Sequence, residues 1–150
     1  MKVSVEIGIP VSQEEAWAAL LDWEGQAAWM RDADRVRIVS LQRQGPGTRI
    51  HVKTRVLDIP AFTDRLEVVE WEPPRRLVMA HRRYIGGRGE WLVERAGSGC
   101  RFRWTEDISL PVPVLGELVL LVYRPFMRWL MRGATIDLRR HLERLRAGRG

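Results

Sequence analysis

Residues 70–78 read EWEPPRRLV. The segments on either side alternate apolar and polar residues as strands do. Pro73 and Pro74 cannot both sit inside a strand, because neither carries the N–H that a ladder needs. The pair therefore marks a rigid elbow between two strands. Sequential strands joined by so short a link must pair antiparallel. The same pattern extends both ways from the elbow: period two runs from Val36 to Ile108 and predicts strands near 35–43, 48–57, 62–71, 76–84, 88–96 and 100–109. The links between them carry turn residues: Gly45-Pro46-Gly47, Asp58-Ile59-Pro60, Pro73-Pro74, Gly86-Gly87 and Gly97-Ser98-Gly99. The result is an antiparallel meander.

Working outward from it, Val3, Val5 and Ile7 alternate with polar neighbours and form a further half-buried strand, stopped by Pro10. Ser12-Gln13-Glu14-Glu15 is a capping box. The helix it starts places Trp17, Leu20 and Leu21 on one buried stripe. Gly25 ends that helix, and Gln26–Arg31 reads as a second short one. Beyond Pro111 and Pro113 the period returns to 3.6. Leu115–Val122 is a short apolar helix, and Pro125 sits best in the first turn of a long helix, where its missing N–H costs nothing. That helix runs from about Pro125 to Arg146. It places Met127, Leu130, Met131, Ala134, Leu138, Leu142 and Leu145 on one face and mostly arginines on the other. A sheet with one apolar face and a helix with one apolar stripe must meet. The predicted architecture is α+β: a seven-stranded curved antiparallel sheet wrapped around a long C-terminal helix, with two short helices after strand 1, in one domain spanning 1–150.

The 150 residues are 45% hydrophobic, enough for a core and too many for a disordered chain. Net charge is +6, nearly all from arginine, since Lys2 and Lys53 are the only lysines. Nucleic-acid binding would need that charge clustered on one face. Here it is interleaved with acids, as in Arg65-Leu66-Glu67, so no nucleic-acid partner is expected. Cys100 is alone, which excludes a disulfide framework or a cysteine metal cluster. The N-terminus lacks the apolar core of a signal peptide, and no apolar run approaches the ~20 residues of a membrane span. A soluble cytoplasmic protein is expected, as a monomer or homodimer.

The segments carrying these features resemble the START-related, helix-grip proteins grouped as the SRPBCC superfamily, in particular its polyketide cyclase/dehydrase-like branch. VEIGIPVSQEEAWAALLDWEGQAAWM (5–30) resembles that family's first strand, proline-containing cap and tryptophan-bearing helices. GPGTRI (45–50) resembles its glycine-rich hairpin, and EVVEWEPPRRLVM (67–79) its acidic-Trp-Pro-Pro elbow. GEWLVERAGSGCRFRW (89–104) resembles its last hairpin, with Cys100 where threonine is common. LRRHLERL (138–145) resembles the end of its long helix. The resemblance implies a helix-grip fold with a cavity between sheet and long helix. It says less about function, because this fold hosts binders, carriers and enzymes.

Alternation assigns the inward faces. Val52 and Thr54 share one with Ile50 and Val56; Leu66 and Val68 look inward with Phe62 and Asp64; Leu77, Met79 and His81 share a face; Trp91 pairs with Val93, and Phe102 with Trp104 and Glu106. The inward polar residues are therefore Thr54, Asp64, His81 and Glu106. His81 reads either as a neutral core histidine bonded to backbone or as a pocket donor or acid/base. Glu106 reads either as a strand end paired with arginine or solvent, or as a buried carboxyl with a raised pKa. Asp64, near a loop, is expected in solvent, and Thr54 in packing. Trp29, Trp91 and Trp104 are candidates to wall a ligand, with Leu130 and Ala134 facing them from the long helix. By resemblance, the apolar hairpin tips Ile59-Pro60-Phe62 and Tyr84-Ile85 look like a lid.

The leading expectation is a binding site for a small apolar or amphipathic ligand of polyketide, isoprenoid, quinone or fatty acyl type. One alternative is a cyclase/dehydratase-type enzyme with His81 and Glu106 as acid/base partners. Another is a lipid or quinone chaperone at a membrane surface, touching it through 115–122 and Arg124, Arg128 and Arg132. Intramolecular packing is the preferred reading of that segment, so membrane contact is not favoured. No cofactor or metal is implied, and no nucleophile-base-orienter set is visible.

Overall fold

The chain, described over Met1–Gly150 in a computed structural model, follows the order that period and punctuation dictate. Strand β1 (Lys2–Ile9) leads into helix α1 (Gln13–Leu20). The helix starts where it does because the Ser12 hydroxyl accepts the Glu15 N–H at 3.1 Å. Its Ala16, Trp17 and Leu20 are buried. In place of a second helix over 26–31 there is a short 3₁₀ turn at Glu24–Ala28. Six strands follow: β2 (Ala33–Ile38), β3 (Arg49–Val56), β4 (Ile59–Glu72), β5 (Arg76–His81), β6 (Gly86–Ala96) and β7 (Gly99–Ser109). Every neighbouring pair is antiparallel, in the order β1-β7-β6-β5-β4-β3-β2. The first strand closes onto the last, as a helix-grip sheet requires.

The Pro-Pro elbow is the β4–β5 turn. β4 ends at Glu72, β5 begins at Arg76, and the Arg75 N–H returns to the Glu72 carbonyl at 2.8 Å. The Pro73–Pro74 peptide is cis. The β3–β4 turn is tighter than the sequence suggests. Leu57 and Asp58 both have positive φ, 50° and 63°, the two-residue hairpin geometry whose twist matches the flanking strands. β4 therefore begins at Ile59 rather than near residue 62, with Pro60 opposite Arg55 beside a bulge, a place where the sheet tolerates proline.

The C-terminal helix α2 is one continuous element, Leu115–Ala147, with Pro125 inside it rather than at its start. Pro125 and Leu121 are both exposed. The Leu121 carbonyl that loses its intrahelical donor thus lies on the wet side, which keeps the proline penalty small enough for the helix to run through. α2 lies against β1 and β7 and buries Met131, Ala134, Leu138 and Leu142. Leu145, expected on that face, is 43% exposed. Its first turns correct a further expectation. Leu115, Leu118, Val119, Leu121 and Val122 are at least half exposed, and only Gly116 and Leu120 pack inward. No helix is long and apolar enough to cross a membrane.

The core is built around Trp91. Trp23, Trp29 and Phe102 lie with ring centroids 6.2 Å from it and Trp104 at 6.4 Å. Aromatic contacts at this spacing add to the burial of the large side chains themselves. This cluster closes one end of the space between sheet and helix and leaves the other end open.

Candidate functional site

Between α2 and the concave sheet is a cavity of about 140 Å³ with twenty lining residues, fourteen of them hydrophobic. The sheet supplies Val52 and Thr54 from β3, Leu66 from β4, Met79 and His81 from β5, Trp91 from β6, and Trp104 and Glu106 from β7; α2 supplies Leu130. Of the expected lid residues, Phe62 and Ile85 reach the cavity. Ile59, Pro60 and Tyr84 do not: they are exposed. With the β3–β4 turn at Leu57–Asp58, Ile59 and Pro60 belong to a strand and overhang nothing. Tyr84 lies beneath the Arg83 guanidinium, 4.4 Å from its ring centre. Trp29, Phe102 and Ala134 are buried in the core and do not form the cavity wall. Trp29 and Phe102 instead pack on Trp91.

The polar groups are concentrated in one network. His81 shares one ring nitrogen, Nδ1, with Asp64 Oδ2 at 2.7 Å and the other, Nε2, with Glu106 Oε2 at 3.0 Å. The Trp104 indole N–H donates to the second oxygen, Oε1, of Glu106 at 2.7 Å. The Arg65 backbone N–H donates to Asp64 Oδ1 at 2.9 Å. All three titratable side chains are about nine-tenths buried. This corrects the expectation for Asp64: it is held inside, in the middle of β4, and not in solvent. It also overturns the reading of His81 as a core histidine bonded to backbone, since its partners are carboxylates. Burial opposes charge on the imidazole, but the hydrogen bonds and charges of Asp64 and Glu106 outweigh it and raise His81 from 6.5 to about 10. His81 is thus an imidazolium clamped between two carboxylates. Gly89, paired with Glu106 across β6 and β7, makes room for this arrangement: a Cβ there would come within 2.7 Å of the Glu106 carboxylate.

Several wall residues are not among the expected site residues, although Val56, Met127 and Met131 fall on the inward faces that the sequence assigns. Asp32, between the 3₁₀ turn and β2, points its carboxyl into the cavity. Burial raises its pKa, and the nearby charges of Glu106 and Asp64 add to that, against its own backbone N–H. Tyr123 of α2 also reaches the cavity, and its phenol is pushed up by burial and by Asp32. Met30, Met127 and Met131 join Met79 on the wall, giving it an adaptable lining. Gln26, Val56 and Ile108 complete the set. Beyond strand parity, a further sequence signal for this polar end was Gly89, a glycine inside a strand, which often marks close approach by another group. No group of three or more His, Cys, Asp or Glu side chains is arranged to hold a metal ion.

Comparison with known proteins accords with this geometry. The family model described as "Polyketide cyclase / dehydrase and lipid transport" matches residues 1–147. No curated protein sequence matches the chain. Among solved structures, a protein from Thermus thermophilus is similar with a TM-score of 0.80 at 20% identity, covering 97% of this chain and 99% of that one. A START superfamily protein from Mycobacterium smegmatis gives 0.75 at 12% identity, with 96% and 98% covered. The Zhui aromatase/cyclase from a Streptomyces species gives 0.73 at 15% identity, with 96% and 94% covered. At these identities the structural likeness speaks for the fold alone. The match of the family model over nearly the whole length does more: the chain belongs to the polyketide cyclase/dehydrase and lipid-transport family, on a START-related helix-grip fold.

Proposed function

We propose that this protein binds a small, largely apolar ligand in the cavity between sheet and helix, with the ligand's polar end against the Asp64–His81–Glu106 network. The observation that carries the reading is the cavity's division into a mainly apolar wall and one polar end, the arrangement that gives both affinity and orientation. A volume of about 140 Å³ is close to the ~150 Å³ of an engineered apolar cavity that takes benzene. One ring therefore fits without movement, and a larger ligand requires the methionines to shift. Trp91 and Trp104 stand on the wall and should report occupancy. Native mass spectrometry of the freshly purified protein, with extraction of anything bound, would identify a ligand. Titration with apolar one-ring probes should change the tryptophan emission, and Trp104→Phe should remove much of that change. Emission unmoved by saturating probes would defeat the reading.

A cyclase or dehydratase activity is the second reading, supported by the family description and by the cluster of ionisable groups at the polar end. Both His81 nitrogens are engaged, so proton exchange with a substrate would pass through Glu106, Asp64 or Asp32. In that case Glu106→Gln should lower turnover by about 10²- to 10⁴-fold with binding retained. Surface action as a lipid or quinone chaperone is a third reading. What supports it is the exposed apolar start of α2 beside Arg124, Arg128 and Arg132.

A further inference from the structure

The polar end of the cavity is rich in acceptors and poor in donors. His81 gives both ring N–H groups to Asp64 and Glu106, and Trp104 gives its indole N–H to Glu106. The Gln26 amide donates to the Leu20 carbonyl, and the Thr54 hydroxyl is turned to the Val52 carbonyl. No lysine or arginine lines the cavity, although the chain carries 25 of them. What remains for a ligand is the unused lone pairs of Asp64 and Glu106 and the carboxyl of Asp32, which hydrogen-bonds no other side chain. Three carboxyls stand against one imidazolium. Two donors remain free of such partners: the Trp91 indole N–H, buried on β6 two residues from Gly89, and the Tyr123 hydroxyl, which accepts as readily as it donates.

We infer that this end selects ligands whose head group donates hydrogen bonds, a phenolic or enolic hydroxyl or an ammonium, and rejects head groups that only accept. The inference rests on the reading of the cavity as a binding site and narrows it. A carboxylate brought here would meet like charges in a partly desolvated space. A ketone or ether oxygen would find only the Trp91 N–H and the Tyr123 hydroxyl as donors and would leave the spare lone pairs of the carboxyls without a partner. A hydroxyl or ammonium satisfies Asp32 and the spare lone pairs at once. Fatty acids and quinones are thereby disfavoured; hydroxylated aromatic and amine-bearing apolar molecules are favoured.

A matched set of one-ring probes tests this on the intact protein: 4-propylphenol, its methyl ether 4-propylanisole, 4-propylbenzylamine and 4-propylbenzoate, titrated by calorimetry at pH 8. At that pH His81 is still charged, since its pKa is about 10. The phenol should bind about 10- to 100-fold more tightly than its ether, in which a methyl group replaces the donor hydrogen. The benzoate should bind more weakly still. The ratio of phenol to amine tells whether hydroxyl or ammonium is the preferred donor. An ether or benzoate that binds as tightly as the phenol overturns the inference while leaving the cavity reading intact. Binding by none of the four overturns the cavity reading, and the inference with it. Asp32→Asn removes one carboxyl and puts an amide N–H donor in its place, without breaking a hydrogen bond to another side chain. The disadvantage of the benzoate should then shrink by about tenfold, and an unchanged disadvantage would overturn the part assigned to Asp32.

Discussion

Strand β5 begins with one cation held between acids and ends with another. At its start Arg76 reaches Glu70 and Glu72 of β4 and Glu90 of β6, at 2.5, 3.3 and 2.7 Å. At its end His81 reaches Asp64 of β4 and Glu106 of β7, at 2.7 and 3.0 Å. The contact lengths hardly differ. The surroundings do: the acids around Arg76 are 34–51% exposed, whereas the side chains of the His81 trio are 9–10% exposed. One residue of alternation separates the two fates, since position 76 points away from the helix and position 81 toward it. The outer group sits in a high effective dielectric and is worth little. The inner one has given up most of its hydration and stands or falls on its pairing. Geometry alone does not rank two ion-pair sets; the solvent around them does.

The comparison breaks most visibly if the inner cation is removed. His81→Ala leaves Asp64 and Glu106 buried beside one another with no counter-charge. The expected loss is about 3–5 kcal/mol of stability, the usual cost of orphaning a buried charge. Urea unfolding measures it. A loss below about 1 kcal/mol would mean that the inner trio is as well solvated as the outer one.

The next effect is a dependence on pH that the outer set cannot show. His81 has its folded pKa raised from 6.5 to about 10. Its contribution is therefore complete below about 6.5 and is lost as pH rises through about 10. Between those values the folded state holds a proton that the unfolded state has released, so stability falls by up to ~1.4 kcal/mol per pH unit. The difference between wild type and His81→Gln isolates this slope from other groups. Asp64→Asn removes the stronger of the two hydrogen-bonding influences that raise the pKa and should shorten the window. Parallel curves for wild type and His81→Gln between pH 6.5 and 10 would mean that the imidazole is not held charged.

How much of this contrast was legible in the sequence follows from what each residue signals locally. The meander, the capping box and the elbow were legible because turn residues and period two act over a few neighbours. Parity put His81, Glu106 and Asp64 on the inner face. Asp64 was nevertheless expected in water because β4 was begun at residue 62. The Leu57–Asp58 turn starts it at Ile59 and moves Asp64 well inside the strand. Asp32 gave no signal, since it lies between a 3₁₀ turn and a strand, where neither period applies. Pro125 read as a helix start because the rule weighs the lost hydrogen bond and not the side of the helix on which it is lost. The pairing of His81 with two acids is a long-range product of register, and no local pattern encodes it.

The smallest expected effect sharpens the comparison from the other side. Arg76→Ala removes a guanidinium that three carboxylates share, against the two that share His81. Its acids, however, can turn to water when it leaves, because each is at least one-third exposed. The expected loss is at most about 1 kcal/mol. Salt provides the second measurement. At 1 M ionic strength the screening length falls to about 3 Å, so the Arg76→Ala penalty should shrink toward zero while the His81→Ala penalty, set by burial, stays nearly constant. If Arg76→Ala instead costs about as much as His81→Ala and resists salt, exposure is not what separates the two ends of β5. The long arginine stem packed across the sheet would then be the better explanation.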